Sequence, residues 1–159
     1  MTVSPETTKA LLQKIHIFAG LEGETMDELV RLCRPVEIQP GQLIVREKLM
    51  SREMYVIATG RVRVVRDDDT SEPITLAELG PGEFFGEMSL IECVPRCASV
   101  YAVDPGVVYL LSSGCIHQLF KKWPDQCAIM ILNIARDLCR RLRRMDEKVA
   151  AMEHSAAKN

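Results

Sequence analysis

The sequence of 159 residues lacks several features that would assign it to common functional classes. It has no apolar run near the ~20 residues that a membrane-spanning helix requires, and its first residues do not form the apolar stretch of a signal peptide. Its three histidines are isolated, and its six cysteines form no Cys-x-x-Cys pair, so neither a zinc site nor an iron–sulfur cluster is predicted. We therefore expect a cytoplasmic protein without a metal or other cofactor, in which most cysteines are reduced, buried thiols.

A strong net charge is also missing. The formal charge is −2 at pH 7, which gives no overall electrostatic attraction to nucleic acids or to anionic membranes. No nucleophile stands at a recognisable spacing from a general base, so we do not expect an enzyme. What is present is ordinary for a globular protein, since 47% of the residues are apolar and the length suits one domain, residues 1–159.

The most informative stretch is 84–102, which follows a Gly-Pro-Gly turn and ends in a strand-like segment. It contains one glycine, Gly86, and two opposite charges, Glu87 and Arg96, within an otherwise apolar run. Burying a lone charge costs roughly several kcal/mol unless a partner compensates, so each charge needs one.

Two interpretations of these charges are open. In the first, Glu87 and Arg96 pair with each other or face water. In the second, they hold the two ends of a small ligand, because a carboxylate accepts hydrogen bonds from a sugar diol and an arginine fork matches two phosphate oxygens. A short helix over 87–92 would add backbone amides aimed at the anion, and Gly86 suits a backbone that passes close to a ligand or takes a positive φ.

A family resemblance favours the second interpretation. The run FGEMSL at 85–90, followed at the customary gap by PRCASV at 95–100, resembles the phosphate-binding cassette of cyclic-nucleotide-binding domains. In that family the residue matching Glu87 binds the ribose 2′-hydroxyl and the one matching Arg96 binds the cyclic phosphate, while nearby backbone amides complete the cradle. The resemblance implies these ligand-binding residues in the cassette: Phe85, Gly86, Glu87, Met88, Ser89, Arg96, Cys97 and Ala98.

Two short helices are predicted before the cassette, within 1–34. Ser4 is placed to cap the first helix, with Pro5 as its first residue and apolar side chains at helical spacing after it. A break over 17–21 follows, and the capping-box spacing of Thr25 and Glu28 predicts a second helix that ends near Cys33. The same succession precedes the sheet in the family.

A strand-rich region is predicted over 35–111. Its β-branched runs lie at 36–38, 43–45, 54–57, 62–65, 74–76, 98–103 and 107–111. Gly60 predicts a hairpin between the third and fourth runs, and 67–73 predicts a solvated acidic hairpin tip. The pattern indicates a mainly β fold with flanking helices, and the resemblance implies an eight-stranded antiparallel double-stranded β-helix, a jelly-roll-like β-roll. The family often has glycines where this chain has Lys48 and Ser51, which puts the geometry of that loop in doubt.

The last part, 112–159, is predicted to be helical. Ser112 and Ser113 are placed to cap a short helix, and a helix over about 125–153 follows. One apolar stripe along it has coiled-coil spacing: Ala128, Ile131, Ala135, Leu138, Leu142, Met145, Val149 and Met152. Five apolar residues off this stripe are expected to face the sheets: Ile129, Met130, Leu132, Ile134 and Cys139.

The stripe has two explanations. A helix of ~28 residues is roughly 42 Å long, which exceeds what a domain of this size covers, so a parallel homodimer is favoured over a helix folded back on its own domain. The resemblance to the catabolite-activator group implies that Met145 and Asp146 contact the purine across the dimer. Asp146 suits the adenine amine, and Cys97 stands where cGMP-selective relatives tend to have threonine, so cAMP is favoured over cGMP.

The arginines within 140–144 are interpreted as the solvated shoulders of the coiled coil rather than as a nucleic-acid site. The family's transcription factors carry a helix-turn-helix after the long helix, and 150–159 is too short for one, so no DNA-binding domain is expected in this chain. The prediction is a cAMP-responsive regulatory module that signals through its C-terminal helix to an unknown protein. The alternatives are a dimerisation scaffold without a ligand, or the sensor part of a longer regulator.

Overall fold

The computed structural model describes residues 5–156, so the cap assigned to Ser4 lies outside them. The helices are α1 (Pro5–Leu12), α2 (Gly23–Leu32), α3 (Glu87–Glu92), α4 (Ser113–Lys122) and α5 (Pro124–Ala156), with a 3₁₀ turn at His16–Phe18. The strands are β1 (Arg34–Ile38), β2 (Leu43–Val45), β3 (Glu53–Thr59), β4 (Val62–Arg66), β5 (Ile74–Leu79), β6 (Phe84–Phe85), β7 (Ser99–Ala102) and β8 (Gly106–Ser112). The predicted strand-rich region with flanking helices and a long C-terminal helix is therefore confirmed.

The strands form two antiparallel sheets. The first has the order β1-β8-β3-β6 and the second the order β2-β7-β4-β5. The expected runs all appear as strands, and β6, with only two residues, is an additional one. Closure of the sheets into a double-stranded β-helix stays a prediction.

The predicted hairpin at Gly60 is wrong, because β3 and β4 lie in different sheets. Gly60 has φ +83°, and a Cβ there would lie 2.9 Å from the Pro105 carbonyl oxygen. The glycine therefore lets the chain turn tightly from one sheet into the other. The loop over 67–73 does connect hairpin partners, since β4 and β5 pair from Val62↔Leu79 to Arg66↔Ile74.

The start of α2 also differs from the prediction. The helix begins at Gly23 after the N-cap Glu22, and the backbone N–H of Glu22 donates to Gln126 Oε1 on α5 at 3.0 Å. Thr25 therefore lies inside the helix, where its buried hydroxyl has no hydrogen-bond partner among the described residues. The capping-box prediction is therefore wrong, since the helix begins two residues before Thr25.

The first sheet is buried on both faces. Alternate residues of β3 point to different cores: Tyr55 and Ile57 contact the cluster between the two sheets, whereas Met54 and Val56 contact the cluster under the helices. Phe84 and Phe85 of β6 divide in the same way. This strand therefore joins the two cores at the beginning of the cassette.

The N-terminal half of α5 packs on the domain. Its buried or partly buried apolar residues are Cys127, Met130, Ile134 and Leu138. The predictions for Met130 and Ile134 are thus confirmed, while those for Ile129, Leu132 and Cys139 are wrong, since all three are exposed. A straight helix lying on a domain buries only one narrow stripe, and these residues fall outside it.

Two other expectations concern α4 and the cysteines. Ser112 caps α4 as predicted, because its hydroxyl accepts a hydrogen bond from the backbone N–H of Cys115 at 3.3 Å. The expectation of mostly buried thiols is wrong, since only Cys33 and Cys127 are buried. Among the helices within residues 5–156, none combines the length and the apolar character needed to cross a membrane.

The docked face of α5 gives a testable prediction. Met130 is 1% exposed, so Met130→Ala should lower the free energy of unfolding by roughly 2–5 kcal/mol through lost burial and a cavity. The neighbouring Ile129 is 39% exposed, and Ile129→Ala should cost about 1 kcal/mol or less. Urea denaturation followed by circular dichroism measures both. Equal losses would contradict the assignment of the docked face.

Candidate functional site

The site begins where β6 leads into α3. Phe85 pairs with Tyr55 of β3, and the two rings stack with their centroids 5.1 Å apart and their planes at 10°. Gly86 follows as the N-cap of α3 with φ +84°, and Cys93, the C-cap after the last helical residue, also has a positive φ. The predicted short helix over 87–92 is confirmed.

Gly86 is required by its surroundings. A Cβ at this position would lie 2.5 Å from Arg96 Nη1 and 2.9 Å from the Glu53 carbonyl oxygen. Both distances are too short for a carbon atom, and the positive φ adds a second reason for glycine. The positive φ predicted for Gly86 is therefore found, and the close approach seen here is to Arg96 and Glu53.

Arg96 is buried beside this turn. The residue is 5% exposed, and its Nη1 donates a hydrogen bond to the Gly86 carbonyl at 2.9 Å. Its backbone is held by the loop before β3, since its N–H donates to Leu49 O at 2.9 Å and its carbonyl accepts from Lys48 N at 2.8 Å. Lys48 adopts φ +67°, so the loop keeps the conformation that glycine favours.

The two charges of the cassette are not joined to each other. Within residues 5–156, no ion pair connects Glu87 to Arg96 or connects any other acid to Arg96. Burial lowers the pKa of the Arg96 guanidinium, while Tyr55, Glu53 and Glu87 act in the opposite direction. The first interpretation, direct pairing, therefore does not describe this site.

Glu87 is equally buried, with 6% exposure. Burial raises the pKa of its carboxyl group, and the hydrogen bond from its own backbone N–H opposes that rise. Among the charges, Arg141 lowers the pKa more than Arg96 does, while Asp137 raises it. The site thus contains a carboxylate and a guanidinium that are both withdrawn from water and not bonded to each other.

Arg141 contacts the strand that leads into the cassette, and the sequence analysis did not predict this contact. From α5 its Nη2 donates to the Phe84 carbonyl at 2.9 Å, and its guanidinium carbon lies 4.4 Å from the centre of the Phe84 ring. Its Nε donates to Asp137 Oδ2 at 2.8 Å. The interpretation of Arg141 as a solvated shoulder is therefore wrong. A signal was present, because Asp137 and Arg141 continue the helical spacing of the buried Met130 and Ile134.

Of the remaining predicted residues, four belong to the cassette and two lie on α5. Ser89 and Ala98 are buried near the turn, and Met88 and Cys97 are exposed, with their sulfur atoms 3.7 Å apart. Met145 and Asp146 lie on the exposed part of α5 beyond Arg141, so a single chain does not bring them into the cassette.

A surface cavity of about 560 Å³ opens elsewhere, between α1, α2 and the start of β1. None of the predicted site residues lines it. Its lining holds neither Glu87 nor Arg96, so the buried charges of the cassette lie outside this cavity.

A comparison with known proteins identifies the family. The model of the cyclic nucleotide-binding domain matches residues 35–122, which is more than half of the chain and includes both halves of the cassette. The chain belongs to the cyclic nucleotide-binding domain family.

Three relatives illustrate the range of this family. The cyclic AMP receptor protein of Thermus thermophilus is 32% identical over 143 residues, covering 90% of this chain and 64% of that protein. The cyclic nucleotide-gated channel alpha-4 of Mus musculus is 28% identical over 148 residues, covering 89% of this chain and 25% of the channel. A cyclic nucleotide-binding domain from Methylobacillus flagellatus has the same fold, with a TM-score of 0.79 at 23% identity, covering 89% of this chain and 83% of that one.

The chain thus spans about a quarter of the length of the channel and 64% of the receptor protein. Proteins of different overall activity share the domain, and these relatives are named as a receptor and a channel rather than as enzymes.

The close approach at Gly86 of this cyclic nucleotide-binding domain is testable with a matched control. Gly82 has φ +86° and would place a Cβ in open space, so Gly82→Ala carries only the backbone strain of a positive φ, roughly 1 kcal/mol. Gly86→Ala adds the clash with Arg96 and Glu53, and should lower the free energy of unfolding by roughly a further 1–3 kcal/mol. Urea denaturation of both variants gives the difference. Equal values would show that the turn relaxes freely.

Proposed function

We propose that this domain is a regulatory sensor that binds a cyclic nucleotide, with cAMP preferred over cGMP. The observation that carries the proposal is Arg96, a residue with 5% exposure whose guanidinium bonds to the Gly86 carbonyl and forms no ion pair within residues 5–156. A purely structural arginine at this depth needs an acid to offset its desolvation. A cyclic phosphate would supply that negative charge and accept two parallel hydrogen bonds.

The other roles follow from the chemistry of each group. The Glu87 carboxylate accepts a hydrogen bond from the ribose 2′-hydroxyl, since an ionised carboxylate is an acceptor only. Backbone amides around Gly86, Met88, Ser89 and Cys97 face the phosphate. Phe85 and Ala98 are buried and shape the cradle.

The preference for cAMP rests on two side chains. Asp146 accepts a hydrogen bond from the adenine amine, whereas guanine would present a carbonyl that a carboxylate repels. Cys97 lacks the hydroxyl that a threonine would offer to guanine. The named ligand of the Thermus relative, cyclic AMP, agrees with this preference, and cGMP is the alternative.

Homodimerisation would bring Met145 and Asp146 of a second copy towards the purine. The exposed half of α5 carries four large apolar residues at coiled-coil spacing: Leu142, Met145, Val149 and Met152. We infer that these residues form the seam of a parallel homodimer, with residues 1–159 as one domain in the cytoplasm. They are at least 57% exposed in the single chain, which gives burial on dimerisation a strong driving force.

The signal passes through α5 in this proposal. Arg141 connects α5 to Phe84, two residues before the glycine of the cassette, so a ligand that favours one position of the cassette also favours one position of the helix. A ligand shifts such an equilibrium only by its difference in affinity for the two states. The alternative, a dimerisation scaffold without a ligand, predicts no change in α5 when nucleotide is added.

The role of Arg96 is tested by Arg96→Leu. Losing two charge-assisted hydrogen bonds at roughly 1.5–3 kcal/mol each should weaken cAMP binding by about two orders of magnitude or more, because the phosphate loses its counter-charge. Calorimetry with cAMP and with cGMP measures the affinity and the preference. Arg144→Leu removes the same group from an exposed position and should bind as the wild type does. An unchanged affinity in Arg96→Leu would remove this residue from the site.

The dimer seam is tested by Met145→Asp. A carboxylate in an apolar seam must be desolvated beside its copy on the other helix, so the variant should shift towards the monomer in light scattering. Ala150→Asp adds the same charge outside the seam and should remain dimeric. If Met145→Asp stays as dimeric as this control, the seam lies elsewhere.

A further inference from the structure

We propose that Glu53, the first residue of β3, determines specificity at the phosphate end of the site. Its carboxylate favours a singly charged cyclic phosphate over the phosphate group of an acyclic nucleotide such as adenosine 5′-monophosphate (AMP). A cyclic phosphate carries one negative charge, whereas a phosphate monoester carries about 1.5 to 2 negative charges at pH 7. The inference rests on the proposed function, because it concerns the charge of the ligand that the same site accepts.

Glu53 and Arg96 both lie against the turn at Gly86. A Cβ at this glycine would be 2.9 Å from the Glu53 carbonyl oxygen and 2.5 Å from Arg96 Nη1. The backbone of Arg96 also bonds to Lys48 and Leu49, in the loop that leads into β3. The backbone geometry alone therefore makes the start of β3 a neighbour of the Arg96 guanidinium.

The Glu53 side chain lies on the face of β3 that borders the space between the sheets. Side chains two residues apart on a strand share a face, and Tyr55 and Ile57 belong to the cluster between the sheets. The Tyr55 hydroxyl donates to Glu53 Oε2 at 3.3 Å, which agrees with a shared face. Tyr55 also stacks on Phe85, the residue before Gly86, with the ring centroids 5.1 Å apart. One aromatic ring thus connects the Glu53 carboxylate to the beginning of the cassette.

Two hydroxyl groups orient this carboxylate. The Ser51 hydroxyl donates to the same oxygen as Tyr55 does, Glu53 Oε2, and also at 3.3 Å. Burial, followed by the charge of Glu53, raises the pKa of Tyr55, so its hydroxyl stays a neutral donor at neutral pH. In the part of the chain that the structure describes, Glu53 forms no ion pair. Its negative charge is therefore not offset by a bonded cation.

The charges around Arg96 give Glu53 a role in selectivity. Burial lowers the pKa of Arg96, and Tyr55, Glu53, Cys97 and Glu87 raise it, in decreasing order. Glu53 is thus the carboxylate that acts most strongly on this guanidinium, in agreement with the backbone geometry. One negative charge on a ligand offsets the charge of Arg96, whereas each further negative charge adds repulsion from Glu53.

Glu53→Gln in the full chain tests the proposal, because it keeps the side-chain volume and an oxygen that accepts from the two hydroxyls but removes the charge. Calorimetry measures the affinities for cAMP and AMP, and their ratio is the readout. The preference for cAMP should fall about three- to tenfold, because AMP is relieved of more repulsion than cAMP is. Glu53→Asp keeps the charge and should keep most of the preference. Glu24→Gln, a loss of an exposed acid on α2, should leave the ratio unchanged.

The pH dependence of the ratio separates charge from shape. AMP loses its second negative charge as the pH falls through about 6, whereas cAMP keeps a single charge. The wild-type preference for cAMP should therefore shrink from about pH 7.5 to about pH 5.5, and it should shrink less in Glu53→Gln. The other titratable groups that act on Arg96 are Tyr55, Cys97 and Glu87. They are the same in both proteins, so the difference between the two profiles isolates Glu53.

Three results would overturn the proposal. One is a ratio in Glu53→Gln equal to that in Glu24→Gln. Another is an equal loss of preference in Glu53→Asp and Glu53→Gln, because shape rather than charge would then explain it. The third is a wild type that binds neither cAMP nor cGMP, which refutes the proposed function together with this inference. Binding of cAMP with an unchanged ratio in Glu53→Gln refutes the inference alone.

A second variant covers a failure of Glu53→Gln to fold. Glu53→Thr removes the same charge and introduces a β-branched residue that suits a strand. It should lower the preference for cAMP to the same extent, and an unchanged preference would contradict the role of the charge.

Discussion

The hydrogen bond from Arg96 to the Gly86 carbonyl is the interaction on which the site depends. It joins two segments ten residues apart and orients a guanidinium that has little contact with water. It also explains the glycine, because a Cβ at position 86 would occupy the space of the Arg96 nitrogen. A burial this costly persists only where the surrounding structure is held firmly, and here the backbone of Arg96 bonds to the loop at 48–49 on both sides.

The segment around Gly86 is held firmly because β6, the strand that precedes it, lies between the two hydrophobic cores. Phe84 packs under the helices and Phe85 packs between the sheets, so adjacent residues are anchored in different clusters. Close-packed clusters of this kind are not continuously deformable, and a displacement of β6 must therefore be shared by both. The cassette is thus attached to a strand that cannot move without disturbing the helical layer.

The limits of sequence-based prediction follow from the same arrangement. Most strands were predictable, because β-branched apolar runs are local signals. The cassette was recognised through its resemblance to a known family, since the residue types of Glu87 and Arg96 alone left two interpretations open. The sheet to which β4 belongs could not be predicted, since Gly60 marks a turn without specifying which strands pair. Arg141 was missed because its partners, the Phe84 carbonyl and ring, lie 57 residues away, and only tertiary packing brings them together.

The division of α5 is the last consequence of this packing. Its docked face ends with Arg141, and from Leu142 onwards the helix is exposed, so Arg141 lies at the junction between the part that contacts the cassette and the part that projects. From this residue to Ala156 the helix extends about 22 Å, and a tilt of about 10° at the junction would move its end by about 4 Å. A straight helix anchored at Arg141 would carry such a tilt along its whole exposed length, whereas a loop would absorb it locally.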